Sequence, residues 1–329
     1  MKPQTTTLLL LGLVLSACNS QFALHQMGFE PQTAVGMSGD LGFHDPVLIK
    51  AGSTYCGFST GILRDTTNPG GILVHRSSGG PGGSWTTLGE IPVPAWAKTY
   101  GIKHLWAPEI VYNGSDKRYY LYYAASQFGT NNSAIGVTST TNPCSVSGWT
   151  DHGAIKTSKG TDFNAIDPDV GWDSTNGWYM SWGSFFSGIK IQKMSSMTTF
   201  TGSITTLATR PGVANNPVEA PSITKRGGFY YLFLSWDACC QGTSSTYKTV
   251  VGRANSLFGP YTDKNGKRLD QGGGTLLLQG TSGAFGPGGG DAYQDGTTYY
   301  FAHHYYDSAG APKLAVRQLG WDSANWPVP

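Results

Sequence analysis

A proline followed by a β-rich run recurs five times along this chain of 329 residues, and no other feature restricts the possible folds as strongly. The prolines that mark the repeat are Pro46, Pro108, Pro168, Pro221 and Pro287. Successive members lie 62, 60, 53 and 66 residues apart, so each interval has about the length of one structural unit. A period of this kind predicts an architecture that is built from copies of one supersecondary unit.

Each repeat also contains a regular series of strand-like segments. After every prolyl segment comes a turn rich in Gly, Asn, Asp or Ser, and then an aromatic run that is typical of a β-strand. The aromatic runs cover 55–59, 119–126, 178–185, 230–236 and 299–306. A third set covers 71–77, 133–140, 188–194, 247–254 and 313–321, and a weaker fourth set begins near Trp85, Trp149, Ile204 and Thr275. Four strands in each of five units predict an all-β fold, a five-bladed β-propeller.

The composition agrees with a propeller and argues against binding of nucleic acid. The chain has 46 Gly, 10 Trp, 17 Tyr and 14 Phe but only 13% charged residues, which favours short aromatic strands and tight turns over amphipathic helices. Its net charge of +2 comes from basic and acidic residues that are scattered without blocks, so no polyanion-binding surface is predicted. Two stacked β-sandwiches are an alternative, but they do not explain why one order of elements recurs at one period.

The N-terminal residues predict export. Lys2 precedes an apolar run at 8–15 that is long enough for the core of a signal peptide and too short to span a bilayer. The run ends in Leu15-Ser16-Ala17-Cys18, which resembles the lipobox of bacterial lipoproteins, where cleavage leaves a lipid-bearing N-terminal cysteine. Ordinary signal-peptidase cleavage beside an incidental cysteine is the alternative.

These features divide the chain into three parts. We expect a lipoprotein-type signal peptide at 1–17, an N-terminal linker at 18–35 and a propeller domain at 36–329. The mature protein is then a lipid-anchored lipoprotein of the cell surface or the periplasm, and otherwise a secreted protein. A lipid on Cys18 is the one membrane contact that we predict, and we expect a monomer.

Four further cysteines fit an exported protein. Cys56, Cys144, Cys239 and Cys240 allow three pairings, and the sequence alone does not choose among them. Because thiols oxidise outside the cytosol, we expect either a ring between the adjacent Cys239 and Cys240 or separate pairing of these two with Cys56 and Cys144. A zinc site is not predicted, since no Cys-x-x-Cys pair and no histidine at ligand spacing accompanies the cysteines.

Acidic residues accompany the prolines of the repeat. In a propeller the first strand of each blade lines the central channel, and proline is tolerated as the first residue of a strand, so the prolyl segments should ring the mouth of an axial funnel. The acids beside them are Asp45, Glu109, Asp167, Asp169 and Glu219. Asp before Pro is also a common residue at the start of a strand, where it caps local N–H groups. Several like charges on one ring nevertheless destabilise a fold, which favours a functional role.

Carboxylates in an aromatic-lined funnel suit one reaction in particular, the hydrolysis of a glycosidic bond. One acid must be protonated so that it can donate to the leaving oxygen, and another must be ionised so that it can activate water or attack carbon. A third acid can raise the pKa of the proton donor through its negative charge.

A series of motifs resembles the endo-acting arabinanases of glycoside hydrolase family 43, a group of five-bladed propellers that act with inversion. The motifs cover nearly the whole mature chain in order: His44-Asp45-Pro46; Leu105-Trp106-Ala107-Pro108; Phe128-Gly129 with Ser133-Ala134-Ile135-Gly136; Asn164-Ala165-Ile166-Asp167-Pro168; Gly183-Ser184-Phe185 with Gly188-Ile189; Val218-Glu219-Ala220-Pro221; Ser235-Trp236-Asp237 with Cys239-Cys240; Ser245-Thr246-Tyr247; Val251-Gly252-Arg253; Gly259-Pro260-Tyr261; and His304-Tyr305-Tyr306-Asp307. So many matches in order make the resemblance specific.

The resemblance implies roles for three acids and for a set of substrate-binding residues. It implies Asp45 as general base, Glu219 as general acid, and Asp167 as the group that tunes and orients Glu219. The implied sugar-binding positions are Trp106 as an aromatic platform, Phe128, Gly129, Asn164, Ala165, Ile166, Gly183, Ser184 and Phe185. The implied substrate is arabinan or another pectin side chain.

The resemblance also implies a metal ion on the propeller axis. His304 matches the family's ligand for this ion, usually calcium, whose other ligands are mostly water. A single histidine in an aromatic strand is otherwise more often a core residue. No organic cofactor is expected.

The chain departs from the family pattern at three positions, and the resemblance leaves alternatives open. Glu109 stands where Asp is usual, Gly289 where many members have His, and Phe186 where Trp is frequent. None of these is one of the three acids. An exo-acting arabinanase, arabinofuranosidase or xylosidase of the same fold differs by a wall that closes one end of the cleft, which loop length decides. A non-catalytic glycan-binding propeller would be expected to lack at least one acid.

Overall fold

The computed structural model describes residues 34–329, so the predicted signal peptide and residues 18–33 of the predicted linker lie outside the described residues. Nearly all regular structure in the described part is β. The exceptions there are one short helix, α1 (Ala95–Lys98), and two 3-10 turns at Gly242–Ser244 and Leu269–Gln271. Within this part, no helix has the length and apolar character needed to cross a membrane.

Five sheets follow in sequence order, one to each predicted repeat, and their strand pairs are antiparallel except for one pair in blade one. Blade one contains β1 (Ser38–Gly39), β2 (Val47–Ala51), β3 (Thr54–Ser59), β4 (Ile72–Ser77) and β5 (Ser84–Ile91). Blade two contains β6 (Trp106–Asn113), β7 (Arg118–Ala125), β8 (Ala134–Thr140) and β9 (Thr150–Thr157). Blade three contains β10 (Asp169–Asp173), β11 (Gly177–Trp182), β12 (Ile189–Ser196) and β13 (Thr199–Ala208). Blade four contains β14 (Val218–Arg226), β15 (Phe229–Trp236), β16 (Lys248–Ala254) and β17 (Thr275–Gln279). Blade five contains β18 (Phe285–Asp295), β19 (Thr298–Tyr306) and β20 (Pro312–Gln318), and a small hairpin of β21 (Gly320–Trp321) and β22 (Pro327–Val328) follows.

The inner strands of the blades form a closed ring. Strand β2 packs against β6, β6 against β10, β10 against β14, β14 against β18, and β18 against β2. The sequence prediction of a five-bladed β-propeller is therefore confirmed.

Five apolar cores lie between neighbouring blades and hold the ring together. Successive residues of a strand point to opposite faces, so one strand serves two interfaces. Leu121 packs towards blade one, whereas Tyr122 packs towards blade three. Leu232 and Phe233 divide in the same way between blades three and five. This alternation explains why the aromatic second strands of the repeat are buried on both faces.

Blade five differs from the prediction of four strands. In the described part of the chain its sheet contains three strands, β18, β19 and β20. The outer edge of β20 is covered instead from the N-terminal side: Ala34 pairs with Arg317, and Val35 donates its N–H to the Val316 carbonyl at 2.9 Å. The chain then continues to β1, which runs parallel to β5 of blade one. Residues 34–39, which include the end of the predicted linker, thus connect blade five to blade one.

The prolines also depart from the predicted position at the start of each strand. Pro46 and Pro168 directly precede β2 and β10, as predicted, but Pro108, Pro221 and Pro287 lie inside their strands. At all three the pairing register shifts, as it does between Trp106 and Glu109 in blade two. Such a bulge leaves the proline outside the ladder, so its missing N–H removes no strand hydrogen bond.

The four cysteines among residues 34–329 form two disulfides. Cys56 in β3 is bonded to Cys144, which follows β8, so this bridge joins blade one to blade two. Cys239 is bonded to its neighbour Cys240 in the loop after β15. The first of the two predicted alternatives, the vicinal ring, is the one that the structure contains.

Candidate active site

One backbone feature repeats at the same place in all five blades. The residue before each of the five prolines has a positive φ, between 42° and 54°: Asp45, Ala107, Asp167, Ala220 and Gly286. For a residue other than glycine this conformation costs roughly 1–3 kcal/mol, and such strain clusters at functional sites. The kink brings the prolyl segments around a small axial cavity of about 40 Å³. Its lining includes residues from every blade: Asp45, Pro46, Ala107, Pro108, Glu109, Asp167, Pro168, Ala220, Pro221, Ser222, Gly289, Gly290 and Asp291.

The carboxyl group of Asp45 has one engaged oxygen and one free oxygen. His44 donates from Nδ1 to Oδ2 at 2.8 Å, and the Thr60 hydroxyl donates to the same Oδ2 at 2.6 Å. The Thr60 oxygen in turn accepts the Ala107 N–H of blade two at 2.9 Å. No hydrogen bond within residues 34–329 reaches Oδ1, which lies 3.5 Å from Nδ1 of His304. Oδ1 is therefore the oxygen that is able to accept a proton from water.

The environment keeps Asp45 ionised. Burial alone would raise the pKa of this carboxyl, but the charge and hydrogen bond of His44, with smaller contributions from His304 and Thr60, hold the pKa below its ordinary value. The effect is mutual, because burial would lower the pKa of His44 and the adjacent Asp45 raises it instead. An ionised carboxylate with a free oxygen suits the general base that the sequence predicted.

Glu219 is 7% exposed, and its pKa is shifted in the opposite direction to the pKa of Asp45. Ser184 donates from Oγ to Oε2 at 2.5 Å, and the Tyr247 hydroxyl donates to Oε1. Burial raises the pKa of Glu219 to about 7; the negative charge of Asp45 adds to the rise, and the Ser184 hydrogen bond opposes it. An acid with this pKa carries its proton near neutral pH, as a proton donor requires.

The third acid, Asp167, is tied to the backbone beside Glu219. Its Oδ2 accepts the N–H of Ala220, the residue that follows Glu219, at 3.1 Å. Burial raises the pKa of Asp167, and the charges of Glu219 and Asp45 raise it further. Because Asp167 and Glu219 repel one another when both are ionised, the two carboxyls together retain a proton.

Three of the predicted sugar-binding residues lie beside the acids. Ser184 contacts Glu219 directly, and Phe185 donates its N–H to the Val218 carbonyl at 2.9 Å. Gly183 has a φ of 134° and donates to the Ile166 carbonyl, and a Cβ atom here would lie 2.6 Å from the Gly188 oxygen. These contacts fix the loop after β11 next to the acids.

The other predicted sugar-binding residues have varied surroundings. Trp106 is half-buried and precedes the kink at Ala107, and Asn164 is buried with no hydrogen bond to its side-chain oxygen in the described structure. Ala165 and Ile166 are buried, so their side chains offer no surface to a sugar. Phe128, with Gly129 beside it, is 82% exposed in the loop after β7. No hydrogen bond of the described residues joins this loop to the three acids.

His304 is fully buried in β19, next to Asp45. Its Nδ1 accepts the Asp45 N–H at 3.1 Å, and its Nε2 has no hydrogen-bond partner among the described residues. Burial holds the pKa of His304 well below its ordinary value, so the ring is neutral. A neutral imidazole that accepts at Nδ1 carries its proton on Nε2, so binding of a metal ion at Nε2 requires this proton to move to Nδ1, which lies 3.5 Å from Oδ1 of Asp45.

Two groups of side chains have the spacing of metal ligands. His44, Asp45 and His304 form one, and Glu109, Asp169 and Asp291 form the other, with donor atoms within 4.8 Å of one another in each group. In the second group burial raises every pKa, to about 8 for Asp169 and to about 6 for Asp291. These three carboxyls therefore either hold protons or are neutralised by a cation.

Sequence reasoning gave no role to several residues around the acids. Thr60, which directly follows β3, was not singled out, and Tyr306, the last residue of β19, belonged to a matched motif without a role. Tyr247 belonged to a matched motif but was given no role. Asp291 lies four residues after Pro287, whereas Glu109 directly follows Pro108, and a position shortly after a proline of the repeat was the available signal.

Glu219 in blade four has a raised pKa and Asp45 in blade one a lowered pKa, and the two carboxyls lie close enough for their charges to interact. Such a pair of carboxyls in different protonation states is the catalytic arrangement of a glycoside hydrolase. The comparison with known families agrees: Glycosyl hydrolases family 43 matches residues 42–327, and the chain belongs to this family.

Relatives and solved structures of this family cover nearly the whole chain. It is similar to the extracellular endo-alpha-(1->5)-L-arabinanase 1 of Bacillus subtilis (strain 168), with 40% identity over 89% of this chain and 88% of that protein. It is also similar to the extracellular exo-alpha-(1->5)-L-arabinofuranosidase ArbA of Cellvibrio japonicus (strain Ueda107), with 36% identity over 86% and 85%. The structure of a family 43 endo-arabinanase from Bacillus licheniformis superposes with a TM-score of 0.80 and 40% identity over 89% of this chain and 99% of that one.

Proposed function

We propose that this protein hydrolyses the α-1,5 bonds of L-arabinan, at internal positions and with inversion of configuration. The observation that carries the proposal is the contrast between Glu219, with its pKa near 7, and the ionised Asp45 across the same funnel. The printed names of relatives at 40% and 36% identity supply the substrate class.

In the proposed reaction Glu219 donates its proton to the glycosidic oxygen as the bond to the anomeric carbon breaks. A water molecule attacks this carbon from the opposite face, and Oδ1 of Asp45 accepts the proton that the water loses. The products are two shorter chains, one of which has a new reducing end with inverted configuration. Proton return from Asp45 to Glu219 through solvent completes the cycle.

The groups around Glu219 accommodate both of its protonation states. Ser184 and Tyr247 carry hydroxyls, and a hydroxyl is able to donate or to accept when it rotates. Asp167 holds the backbone after Glu219 through the Ala220 N–H, so it orients the acid as well as repelling its ionised form. We therefore assign Asp167 the tuning and orienting role.

We favour endo action because the relative named an endo-arabinanase is 40% identical to this chain, whereas the relative named an exo-arabinofuranosidase is 36% identical. Exo action is the alternative that the second name supports. The test is the time course of products from linear arabinan. Internal cleavage gives a ladder of oligosaccharides at early times, whereas a single short product would support attack from the chain end. Binding of arabinan without any product would favour a non-catalytic glycan-binding protein. A Glu219→Gln variant, purified in parallel, controls for contaminating enzyme.

We also propose that His304 binds a calcium ion on the propeller axis. The buried Nε2 without a partner fits this role, and Gly289, whose absent side chain would collide with the His304 ring, lines the axial cavity. Calcium prefers oxygen ligands, so water would complete the site, and the nearby carboxyls of Glu109, Asp169 and Asp291 would balance the charge. When bound, the ion supplies positive potential beneath the funnel.

Export of the protein is proposed from its N-terminal sequence and supported by the relatives named extracellular. We propose that the mature chain is a monomer and carries a lipid on Cys18. Mass spectrometry of protein from the native host should find the lipidated cysteine, and Cys18→Ala should leave the precursor uncleaved. Soluble protein that has been cleaved elsewhere would contradict the anchor.

A further inference from the structure

The vicinal disulfide lies beside the general base, although it is far from it in sequence. Sγ of Cys240 is 3.8 Å from Nε2 of His44, the residue that donates to Asp45. The Cys240 N–H donates to the Tyr306 hydroxyl oxygen at 2.9 Å, and this hydroxyl is 2.7 Å from the same Nε2. A chain of three hydrogen bonds therefore runs from the Cys240 backbone through Tyr306 and His44 to Oδ2 of Asp45.

Both ring nitrogens of His44 are hydrogen-bonded in this chain. The Tyr306 oxygen accepts the Cys240 N–H and lies 2.7 Å from Nε2 of His44. On the other side of the ring, Nδ1 donates to Asp45. The His44 ring is also stacked on His304, with ring centroids 3.9 Å apart. The imidazole is thus restricted in its orientation.

The disulfide restricts the first member of the chain. A bond between adjacent cysteines closes a small ring that includes the peptide between them, so this peptide does not rotate freely. Cys240 has a φ of 66°, a conformation that an unconstrained residue of this type rarely holds. The preceding Ala238 carbonyl accepts the N–H groups of Thr246 and Tyr247, which anchors the loop on its other side.

We propose that Tyr306, held in place by the Cys239–Cys240 disulfide, is a positioning residue for the general base. It fixes His44, and His44 together with Thr60 occupies Oδ2 of Asp45 so that Oδ1 is presented to the attacking water. The inference rests on the proposed hydrolysis of arabinan, because it concerns the geometry of that reaction.

The test is a set of kinetic measurements on linear arabinan. Tyr306→Phe keeps the ring and removes only the hydroxyl, so kcat should fall about tenfold or more while KM stays within about twofold. Cys239→Ala/Cys240→Ala should give the same pattern, because it releases the peptide that holds Tyr306. Tyr305→Phe is the matched control: it lies on the other face of the same strand, and its kcat should equal that of the wild type. Cys56→Ala/Cys144→Ala, assayed below its unfolding temperature, controls for loss of a disulfide as such.

A double-mutant cycle separates positioning from a general structural effect. If Tyr306 acts through His44, the His44→Ala/Tyr306→Phe variant should lose no more kcat than His44→Ala alone. Additive losses, a change confined to KM, or wild-type kcat in both the Tyr306 and the cysteine variants would overturn the inference. In those cases a wild-type enzyme that cleaves arabinan leaves the proposed function intact. An inactive wild type would contradict the proposed function and the inference with it.

Discussion

At the scale of single residues, two carboxyls in one funnel are driven to opposite protonation states by their surroundings. Asp45 receives two hydrogen bonds on one oxygen and lies against His44, so its ionised form is stabilised. Glu219 is more deeply buried and lies near the negative charge of Asp45, so its protonated form is stabilised. Acid and base are thereby assigned by environment, since both groups are ordinary carboxylic acids in water.

Removing either carboxyl should have a different effect on substrates with different leaving groups. Glu219→Ala should abolish cleavage of arabinan but retain much activity on an activated aryl arabinofuranoside, if the site admits one, because a good leaving group needs no proton. Asp45→Ala should lose activity on both, because attack by water still needs a base. Initial rates on the two substrates test this, and NMR of the first product should show an inverted anomeric centre. A retained configuration would contradict the assigned roles.

The role of Asp167 should be visible in the pH dependence of the rate. Catalysis requires Glu219 to hold a proton, and that proton is retained to higher pH when its loss would leave two adjacent negative charges. Asp167→Asn removes one of the charges, so Glu219 should ionise at lower pH. We expect a lower rate and a shift of the upper limb of the kcat/KM profile to lower pH. An unchanged upper limb, or one that moves upward, would show that Asp167 does not tune Glu219.

At the scale of secondary structure, the repeated kink explains how the site is built. Each inner strand reaches the funnel through a left-handed residue and a proline, and the residue type at or beside the kink varies from blade to blade. Blades one and three place Asp at the kink itself, whereas blade four places Glu one residue earlier. The same backbone feature therefore brings acids from three blades close enough for their charges to interact.

The disulfide between blades one and two is expected to stabilise the fold without acting in catalysis. Cys56 and Cys144 are 88 residues apart, and a cross-link closing a loop of this length lowers the entropy of the unfolded chain by an amount worth about 4 to 5 kcal/mol. Cys56→Ala/Cys144→Ala should therefore unfold at a clearly lower guanidinium concentration. The Cys239–Cys240 disulfide closes no long loop, so its removal in Cys239→Ala/Cys240→Ala should leave the unfolding midpoint near that of the wild type. Equal midpoints for all three proteins would contradict this entropic account.

Local sequence patterns predicted the elements better than their connections. The aromatic second strands and the segments after them were found because alternation and turn residues are local signals, and each agrees with a strand from β3 to β20. The bulges at Pro108, Pro221 and Pro287 were missed because register depends on the partner strand. Tyr306 was missed for a similar reason: it meets His44 across a separation of 262 residues, and only the closed ring brings them together. Among residues 34–329, the edge of blade five that a fourth strand would cover is paired instead with Ala34, which is near the other end of the chain.

At the scale of the whole molecule, the proposed axial ion should stabilise the ring from its centre. A ligand present at about 100 times its Kd adds about 2.7 kcal/mol to the stability of the native state, which for a chain of this size raises Tm by about 4 °C. Calcium added to chelator-treated protein should raise Tm by this order, and His304→Ala should remove the response. Identical unfolding curves with calcium and with chelator would argue against the ion. Magnesium serves as the control cation, since it accepts imperfect geometry less readily than calcium.

The short segment at 34–39 sets the order in which the ring can be completed during synthesis. Ala34 leaves the ribosome early, whereas its partner Arg317 belongs to the last blade to be made. Until then, the outer edge of blade five does not exist, and the segment that will cover it has no partner. A nascent chain is therefore an open arc of finished blades, and its two ends join only after nearly every residue has been added.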